Sequence, residues 1–368
     1  MANSSSLSVP EVIKPRKRIE YIDALRGFTM FLVVFQHVFT FSCSVRIESA
    51  FLNILQTFRM PLFFFISGYV GMKLVDYFNT KTYISLIKKK FAVQLIPTVV
   101  FSGLMTITGP FSVFNDNFPV SGWTVYWFTI VLLGMFIVYY SLNYLLNRCG
   151  LRRNISLIMY GIAIVMYVLV FTVPLKIPQY LELDKTFYYF QFFVLGTIVR
   201  QNSEKVAALC KNHVFSTFVF LLFVSTSIMI YNKEVSMFLS DNLGAFWRYL
   251  AIFNGFAVRY AGLIMIFTFF LSLSPYFSAN GRVSSAMQFV GRRTLDIYML
   301  HFFFIPVLPV CVADFFNSSE NIVLHVFFGG GFAVAIIVLC LFVSALIRNS
   351  DFLAHYLFGA KISEKAKN

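Results

Sequence analysis

The sequence predicts an all-α, polytopic integral membrane protein of about ten transmembrane helices, with both termini in the cytoplasm. Three observations support this fold class. Hydrophobic residues make up 58% of the 368 residues and charged residues only 12%, whereas soluble domains typically contain about 25% charged residues. Apolar runs of about twenty residues, the length that crosses a bilayer, recur along the whole chain. Lysine and arginine residues collect in alternate connecting segments, as the positive-inside rule requires.

The predicted spans are apolar runs bounded by polar or charged residues. The run at 187–200 is the shortest and gives the weakest hydropathy signal. In chain order, the spans are predicted at about 22–42, 54–75, 91–109, 123–145, 155–173, 187–200, 215–231, 253–274, 295–314 and 322–347.

The distribution of basic residues tests the number of spans. With the N-terminus inside, the segments predicted to be cytoplasmic hold most of the lysine and arginine residues, including the run at 88–90. Removing or adding one span destroys this asymmetry, so the positive-inside rule supports ten spans and two cytoplasmic termini. The basic residues in the predicted outer loops are only Arg46, Lys176, Lys185, Lys233 and Arg248.

One helical membrane domain is predicted at 19–350, between a cytoplasmic N-terminal tail at 1–18 and a cytoplasmic C-terminal tail at 351–368. No internal repeat, low-complexity tract or long linker divides it. The start of the chain lacks the short apolar region and cleavage site of a signal peptide. The five cysteines show no paired spacing, so neither a disulfide framework nor a metal site is predicted.

The net charge of +14 bears on the partners of the protein. Excess basic charge is typical of nucleic-acid-binding proteins and also of the cytoplasmic loops of membrane proteins, which face anionic lipid headgroups. In a chain of this composition, the interpretation as cytoplasmic loops that face lipid headgroups is favoured. The lipid bilayer is therefore a predicted partner and nucleic acid is not.

The first span carries three side chains that are costly in a bilayer: Asp23, Arg26 and His37. An ionisable group at membrane depth costs at least about 2.5–3.5 kcal/mol, so it normally faces the bundle interior or a water-filled cavity. Arg26 and His37 are eleven residues apart, about three helical turns, and therefore share one face of the helix. At about 1.5 Å of rise per residue they lie roughly 16 Å apart along the axis.

Four further ionisable residues lie within or beside predicted spans: Arg59, Arg259, Asp296 and His301. Each also has a structural interpretation, either as a partner in an interhelical hydrogen bond or as a side chain that reaches the interface. Arg59, at the outer end of the second span, is suited to bind an anion or a carbonyl oxygen. Tyr298 and His301 are three residues apart and share a helix face, although Tyr298 also fits an interfacial aromatic belt.

Five short motifs occur in order along the chain: Arg26-x10-His37, FRMPLFFFISGY at 58–69, Trp127-Phe128, FFVLG at 192–196 and GRRTLDIYMLH at 291–301. Together they resemble the membrane-bound acyltransferase family 3. The resemblance covers nearly the whole chain, and the Arg26-x10-His37 spacing is its most specific part. It implies an integral membrane enzyme that transfers acyl groups other than amino-acyl groups, here an O-acetyltransferase of the kind that modifies bacterial cell-surface glycans.

The resemblance implies that acyl-CoA, commonly acetyl-CoA, donates from the cytoplasm to an acceptor hydroxyl, with no permanently bound cofactor. His37 matches the family's essential histidine and Arg26 its essential arginine, and Asp23 is assigned to the catalytic group with them. A neutral histidine can act as general base or carry the acyl group briefly, and a guanidinium suits phosphate or pantetheine oxygens. The residues assigned to substrate binding are Arg59, Lys89, Lys90, Trp127, Tyr298, His301 and Arg259.

The chain departs from the family's pattern in two places. The family often has an Arg-x-x-Arg pair just before the proline of the third span, where this chain reads KKKFAVQLIP and has Gln94 in place of the second arginine. Lys88, Lys89 or Lys90 are the possible substitutes for this donor contact. Arg59 stands where many glycan-acetylating members have histidine.

The predicted function is therefore acylation of an envelope or exported carbohydrate, by a multi-pass protein of a bacterial inner membrane. The alternative is a transporter or flippase for a glycan intermediate, in which the same intramembrane Arg and His residues form a substrate or proton relay. The two halves of the chain show no evident repeat, which favours the enzyme over the transporter.

Overall fold

The computed structural model of the protein describes residues 18–43, 47, 49–71, 80–108, 122–151, 154–172, 181–319 and 321–360. The described chain is almost entirely helical and contains no β-strand in these ranges. Its helices are α1 Glu20–Phe41, α2 Ala50–Gly71, α3 Thr80–Thr108, α4 Gly122–Val125, α5 Trp127–Arg148, α6 Ile155–Thr172, α7 Leu183–Gln201, α8 Ser203–Cys210, α9 His213–Tyr231, α10 Lys233–Leu243, α11 Ala245–Ser272, α12 Ser274–Ser278, α13 Arg282–Arg292, α14 Thr294–Leu300, α15 Val310–Ser318, α16 Ile322–Ile347 and α17 Asp351–Phe358.

The helices confirm the all-α membrane fold class, but not the count of ten spans. In the described ranges, seven helices are long and apolar enough to cross a membrane, namely α1, α2, α3, α5, α9, α11 and α16. Helix α6 is apolar but shorter, and α7 carries Asp184, Lys185 and Arg200 among its 19 residues. The predicted N-terminal tail up to residue 17, and residues 361–368 of the predicted C-terminal tail, lie outside the described residues.

The ninth predicted span, 295–314, is interrupted. Helix α14 ends at Leu300 and a 3-10 turn follows over His301–Phe304. Non-helical backbone then continues to Pro309, and α15 begins at Val310. Pro306 and Pro309 have no amide hydrogen to donate and cannot continue a helix interior, which accounts for the break. His301 therefore lies at the point where the regular helix ends.

Two helix crossings are close enough to require glycine. A Cβ atom at Gly27 of α1 would collide with the Met287 carbonyl of α13, and one at Gly291 would collide with the Asp23 carbonyl. Gly68 of α2 and Gly196 of α7 meet the opposite backbones in the same reciprocal way. Small residues at such crossings let helices approach closely in a membrane, where van der Waals packing drives their association.

Helix α14 is fixed to the long helix α16 by a buried ion pair. The Arg348 guanidinium donates from Nε and Nη2 to the two carboxylate oxygens of Asp296, at 2.7 and 2.8 Å, and the Ser344 hydroxyl donates to the same carboxylate. A bidentate pair of this kind is strong and directional. The contacts support the structural interpretation of Asp296 and hold α14, which carries Tyr298 and leads into His301, against α16.

The segment predicted as a C-terminal tail begins with a packed helix. Helix α17 brings Phe358 against Phe101 of α3, with ring centroids 6.2 Å apart, and under the Arg348 guanidinium. Phe358 is buried by these contacts. Helix α17 therefore forms part of the folded domain.

Candidate active site

His37 and His301 form a direct pair in the interior of the helix bundle. The Nδ1 atom of His37 lies 2.8 Å from Nε2 of His301, and the two ring planes are nearly parallel, at 14° to each other, with centroids 5.1 Å apart. His37 comes from α1 and His301 from the turn after α14, so the pair joins segments 264 residues apart in sequence. His301 is fully buried, whereas His37 is partly exposed.

The hydrogen bonds of His301 assign the protons of both rings. Its Nδ1 lies 2.8 Å from the Tyr298 carbonyl oxygen and 3.1 Å from that of Ile297. A carbonyl only accepts, so Nδ1 of His301 carries a hydrogen and its Nε2 carries a lone pair. That lone pair accepts from Nδ1–H of His37. Nε2 of His37 is then the nitrogen with a free lone pair, which is the protonation state of a general base.

Aromatic rings surround the histidine pair. Phe302 lies 5.0 Å from the His37 ring and 4.0 Å from the His301 ring, measured between centroids, and Phe41 lies 5.3 Å from His37. Phe41 and Phe302 exclude water from the side of the histidine pair that they cover. A hydrogen bond in such surroundings is electrostatically stronger than one in water.

Arg59 of α2 brings an unpaired positive charge to this region. Its side chain is buried, and within the described chain its Nε and Nη1 atoms have no hydrogen-bond partner. Its charge lies close enough to His37 and His301 to interact with both rings. Buried charges in proteins are normally paired, so two unused donors beside the histidines point to a group that arrives from outside.

The position of Arg59 relative to Tyr298 follows from two consecutive edge-to-face ring contacts. Phe63 lies one helical turn from Arg59 on α2 and packs on Phe128 at 4.7 Å, and Phe128 packs on Tyr298 at 5.3 Å. His301 lies one turn beyond Tyr298 in the same direction. Phe63, Phe128 and Tyr298 therefore form one layer of the bundle, and Arg59 and His301 belong to the next.

A cavity of about 340 Å³ lies on the other side of this aromatic layer. Its walls include four of the predicted site residues: Arg26, Lys89, Lys90 and Tyr298. Phe63 and Phe128 also line it, so it reaches the layer beneath the histidine pair. We call it the inner cavity. Its volume falls within the range of about 300–1,000 Å³ that is usual for small-molecule sites.

The arginine of the Arg-x10-His spacing lies at the basic end of α1. Arg26 donates from Nη2 to the Thr294 hydroxyl of α14 at 2.9 Å and lies 3.6 Å from the Asp23 carboxylate. Arg18 also pairs with Asp23, at 2.6 Å. Fourteen residues separate Asp23 from His37, about 21 Å along the helix. Asp23 therefore holds the two arginines in place and does not touch the histidine pair.

Two predicted binding residues, Trp127 and Arg259, belong neither to the walls of the inner cavity nor to the group of His37, His301 and Arg59. Trp127 stacks on Tyr189, with ring centroids 6.2 Å apart, and Lys185 lies over its ring. Arg259 of α11 donates to the Gly255 carbonyl and lies over the Tyr188 ring. Neither residue contacts the His37–His301 pair in the described part of the chain. Their roles in binding stay predictions.

Some residues of the site carry no motif signal. Thr294 is an exception, because it lies within the GRRTLDIYMLH motif and, four residues before Tyr298 and seven before His301, shares their helix face. Gln94, which replaces the arginine usual in the resembled family, lines the inner cavity and leaves its Oε1 atom without a partner among the described residues. Arg200 donates to the Tyr69 hydroxyl at 3.4 Å, and its proximity to Arg26 depends on tertiary packing alone.

Comparison with known proteins identifies one family. The model of a family described as "Acyltransferase domain" matches residues 19–343, which is nearly the whole chain and includes Arg26, His37, Arg59 and His301. No curated protein and no solved structure matches the chain.

Proposed function

Because the chain belongs to this acyltransferase family over residues 19–343, we propose that it moves an acyl group, taken as acetyl, from cytoplasmic acyl-CoA to a hydroxyl of an envelope or exported carbohydrate. The observation that carries the proposal is the histidine base one helical turn beyond a cavity with arginine and lysine in its walls. We assign the protein to a bacterial inner membrane, as the positive-inside pattern and the resemblance indicate.

The donor enters the proposed reaction from the basic end of the bundle. Arg26, Lys89 and Lys90 line the inner cavity and suit the anionic and amide groups of acyl-CoA. The aromatic layer of Phe63, Phe128 and Tyr298 suits the apolar part of the pantetheine arm. The thioester then reaches the layer of His37 and Arg59, about three turns beyond Arg26 along α1.

In the proposed step, Nε2 of His37 takes the proton from the acceptor hydroxyl as its oxygen attacks the thioester carbonyl carbon. The tetrahedral intermediate collapses with cleavage of the carbon–sulfur bond, and the CoA sulfur leaves with the proton that His37 holds. His301 accepts from Nδ1–H of His37 throughout and so stabilises the ring while it is positively charged. The same Nε2 lone pair also suits the alternative in which His37 carries the acyl group transiently.

Arg59 is suited to stabilise the negative charge that develops on the carbonyl oxygen of the thioester. Preorganised donors in a site without water lower the barrier substantially, because they need no reorganisation when the charge appears. The buried Nε and Nη1 atoms of Arg59 are such donors. Burying the unpaired charge of Arg59 costs folding free energy, and a role in stabilising the oxyanion would account for its presence.

The proposed function is tested by acetyl transfer in membrane vesicles. Inside-out vesicles containing the protein are expected to transfer label from [¹⁴C]acetyl-CoA to carbohydrate, and vesicles without the protein are not. Labelled carbohydrate is separated from donor by chromatography, and mild alkali should release the label because an O-acetyl ester is base-labile. A glycan transporter would move carbohydrate across the vesicle membrane without consuming acetyl-CoA, and that result would contradict the proposal.

Replacing Arg59 with methionine is expected to lower kcat by about 10²–10³-fold, the usual effect of losing one oxyanion donor. The KM for acetyl-CoA and for the acceptor should stay within about twofold, because the interaction forms mainly in the transition state. Arg59→Lys should recover part of kcat, since it keeps the charge but not the planar fork. Initial rates in detergent or nanodiscs give both constants.

Thermal unfolding separates this role from a structural one. Removing a buried, unpaired charge is often neutral or stabilising, so the Tm of Arg59→Met should equal or exceed that of the wild type. A large rise in KM for the acceptor with unchanged kcat would assign Arg59 to acceptor binding instead.

A further inference from the structure

A second cavity opens at the basic end of the bundle, beside the inner cavity. Its volume is about 340 Å³, and three guanidinium groups line it, those of Arg18, Arg26 and Arg200. The Asp23 carboxylate and the Tyr69 side chain complete its polar wall. We call it the arginine cavity. With three positive charges against one negative charge, the cavity is suited to an anion.

The polar contacts of the arginine cavity position its arginines. Asp23 is buried and pairs with Arg18 and Arg26 from α1. Arg200 donates from Nη1 to the Tyr69 hydroxyl at 3.4 Å and lies over the Tyr69 ring, 5.2 Å from its centroid. A guanidinium has five N–H donors in a planar fork that matches phosphate oxygens. Arg200 uses one of them in the described structure, so its fork remains suited to a ligand.

The two cavities share part of their walls. Arg26 and Val70 line both of them, so the arginine cavity adjoins the route towards His37. An elongated molecule with an anionic head and an uncharged arm matches this arrangement, with the head in the arginine cavity and the arm in the inner cavity. A lone inorganic anion would need only the arginine cavity.

We propose that the arginine cavity binds phosphate groups of the nucleotide end of the acyl-CoA donor, with Arg200 as a principal contact. This inference rests on the proposed function, because it takes acyl-CoA as the donor. It also explains how the chain binds the donor with Gln94 in place of the arginine usual in the third span. Positive charge comes instead from Arg200 of α7 and Arg18 beside α1.

The test compares two donors that differ only in the nucleotide. Arg200→Ala is expected to raise the KM for acetyl-CoA about 10- to 100-fold, the range for losing a charge-assisted hydrogen bond. The value of kcat/KM for S-acetylpantetheine, which has no nucleotide, should stay within about twofold of wild type. Arg200→Lys should retain part of the acetyl-CoA affinity. The matched control is Arg282→Ala, an exposed arginine of α13 outside both cavities.

Other results of this experiment would contradict either the inference or the proposed function. Equal losses with both donors in Arg200→Ala would overturn the inference, because a structural role affects both alike. A defect that occurs only in nanodiscs with anionic lipid, and equally for both donors, would assign the cavity to a lipid headgroup phosphate and also overturn it. Failure of the wild-type protein to use either donor would contradict the proposed function itself, which is distinguishable from a change confined to Arg200 variants.

Discussion

Replacing His37 with alanine is expected to abolish measurable acyl transfer, with a loss in kcat of at least about 10²–10⁴-fold, the range for removing a general base. The reason is that Nε2 of His37 carries the free lone pair of the His37–His301 pair. Alanine offers neither a base nor a nucleophile at that position. The measurement is the rate of label transfer from acetyl-CoA, with the amount of protein in the membrane determined for each variant.

The control for this variant is His213→Ala, which removes an exposed histidine at the first residue of α9. That variant should keep wild-type activity. Size-exclusion chromatography of His37→Ala should give the wild-type profile, because His37 is only partly buried. Full activity in a correctly inserted His37→Ala protein would rule out both proposed roles of the residue.

Exchange without an acceptor separates the two roles of His37. If the residue carries the acyl group, the wild-type protein should exchange acetyl between acetyl-CoA and labelled free CoA in the absence of carbohydrate. If the residue acts only as a base, this exchange should require the acceptor. His37→Ala should show no exchange in either case.

Replacing His301 with leucine is expected to lower kcat by about 10²–10³-fold while the KM for acetyl-CoA changes little. His301 does not touch the donor in the proposed reaction. It accepts from Nδ1–H of His37 and so fixes the tautomer that leaves Nε2 free. Loss of the group that orients a catalytic histidine costs a similar or larger factor in serine proteases.

His301→Gln provides the matched comparison, because its side-chain oxygen can still accept the hydrogen bond from His37. It should recover part of the kcat that His301→Leu loses. The two variants differ little in volume, so a purely structural role predicts similar losses in both. Wild-type kcat in His301→Leu would show that the pair is not needed to orient His37.

Much of the fold follows from local properties of the chain. The all-α membrane class follows from apolar runs of bilayer length, since a span must satisfy its own backbone hydrogen bonds. The number of spans does not follow from local hydropathy alone, because helices such as α7 are covered by neighbours and tolerate charged residues that lower their hydropathy. The break after His301 falls where Pro306 and Pro309 stand, and the pattern of apolar residues alone does not reveal it.

By itself the sequence determined that Arg26 and His37 share one face of α1, because helical periodicity makes this a local property. It also marked Lys89, Lys90 and Tyr298 as site residues, and the structure places them with Arg26 around one cavity. Only the tertiary structure decided which side chains they meet. The pairing of His37 with His301 joins segments far apart in the chain, and so does the placement of Arg26 and Arg200 around one cavity. These contacts depend on the close glycine crossings that set the helix positions, and no local pattern encodes them.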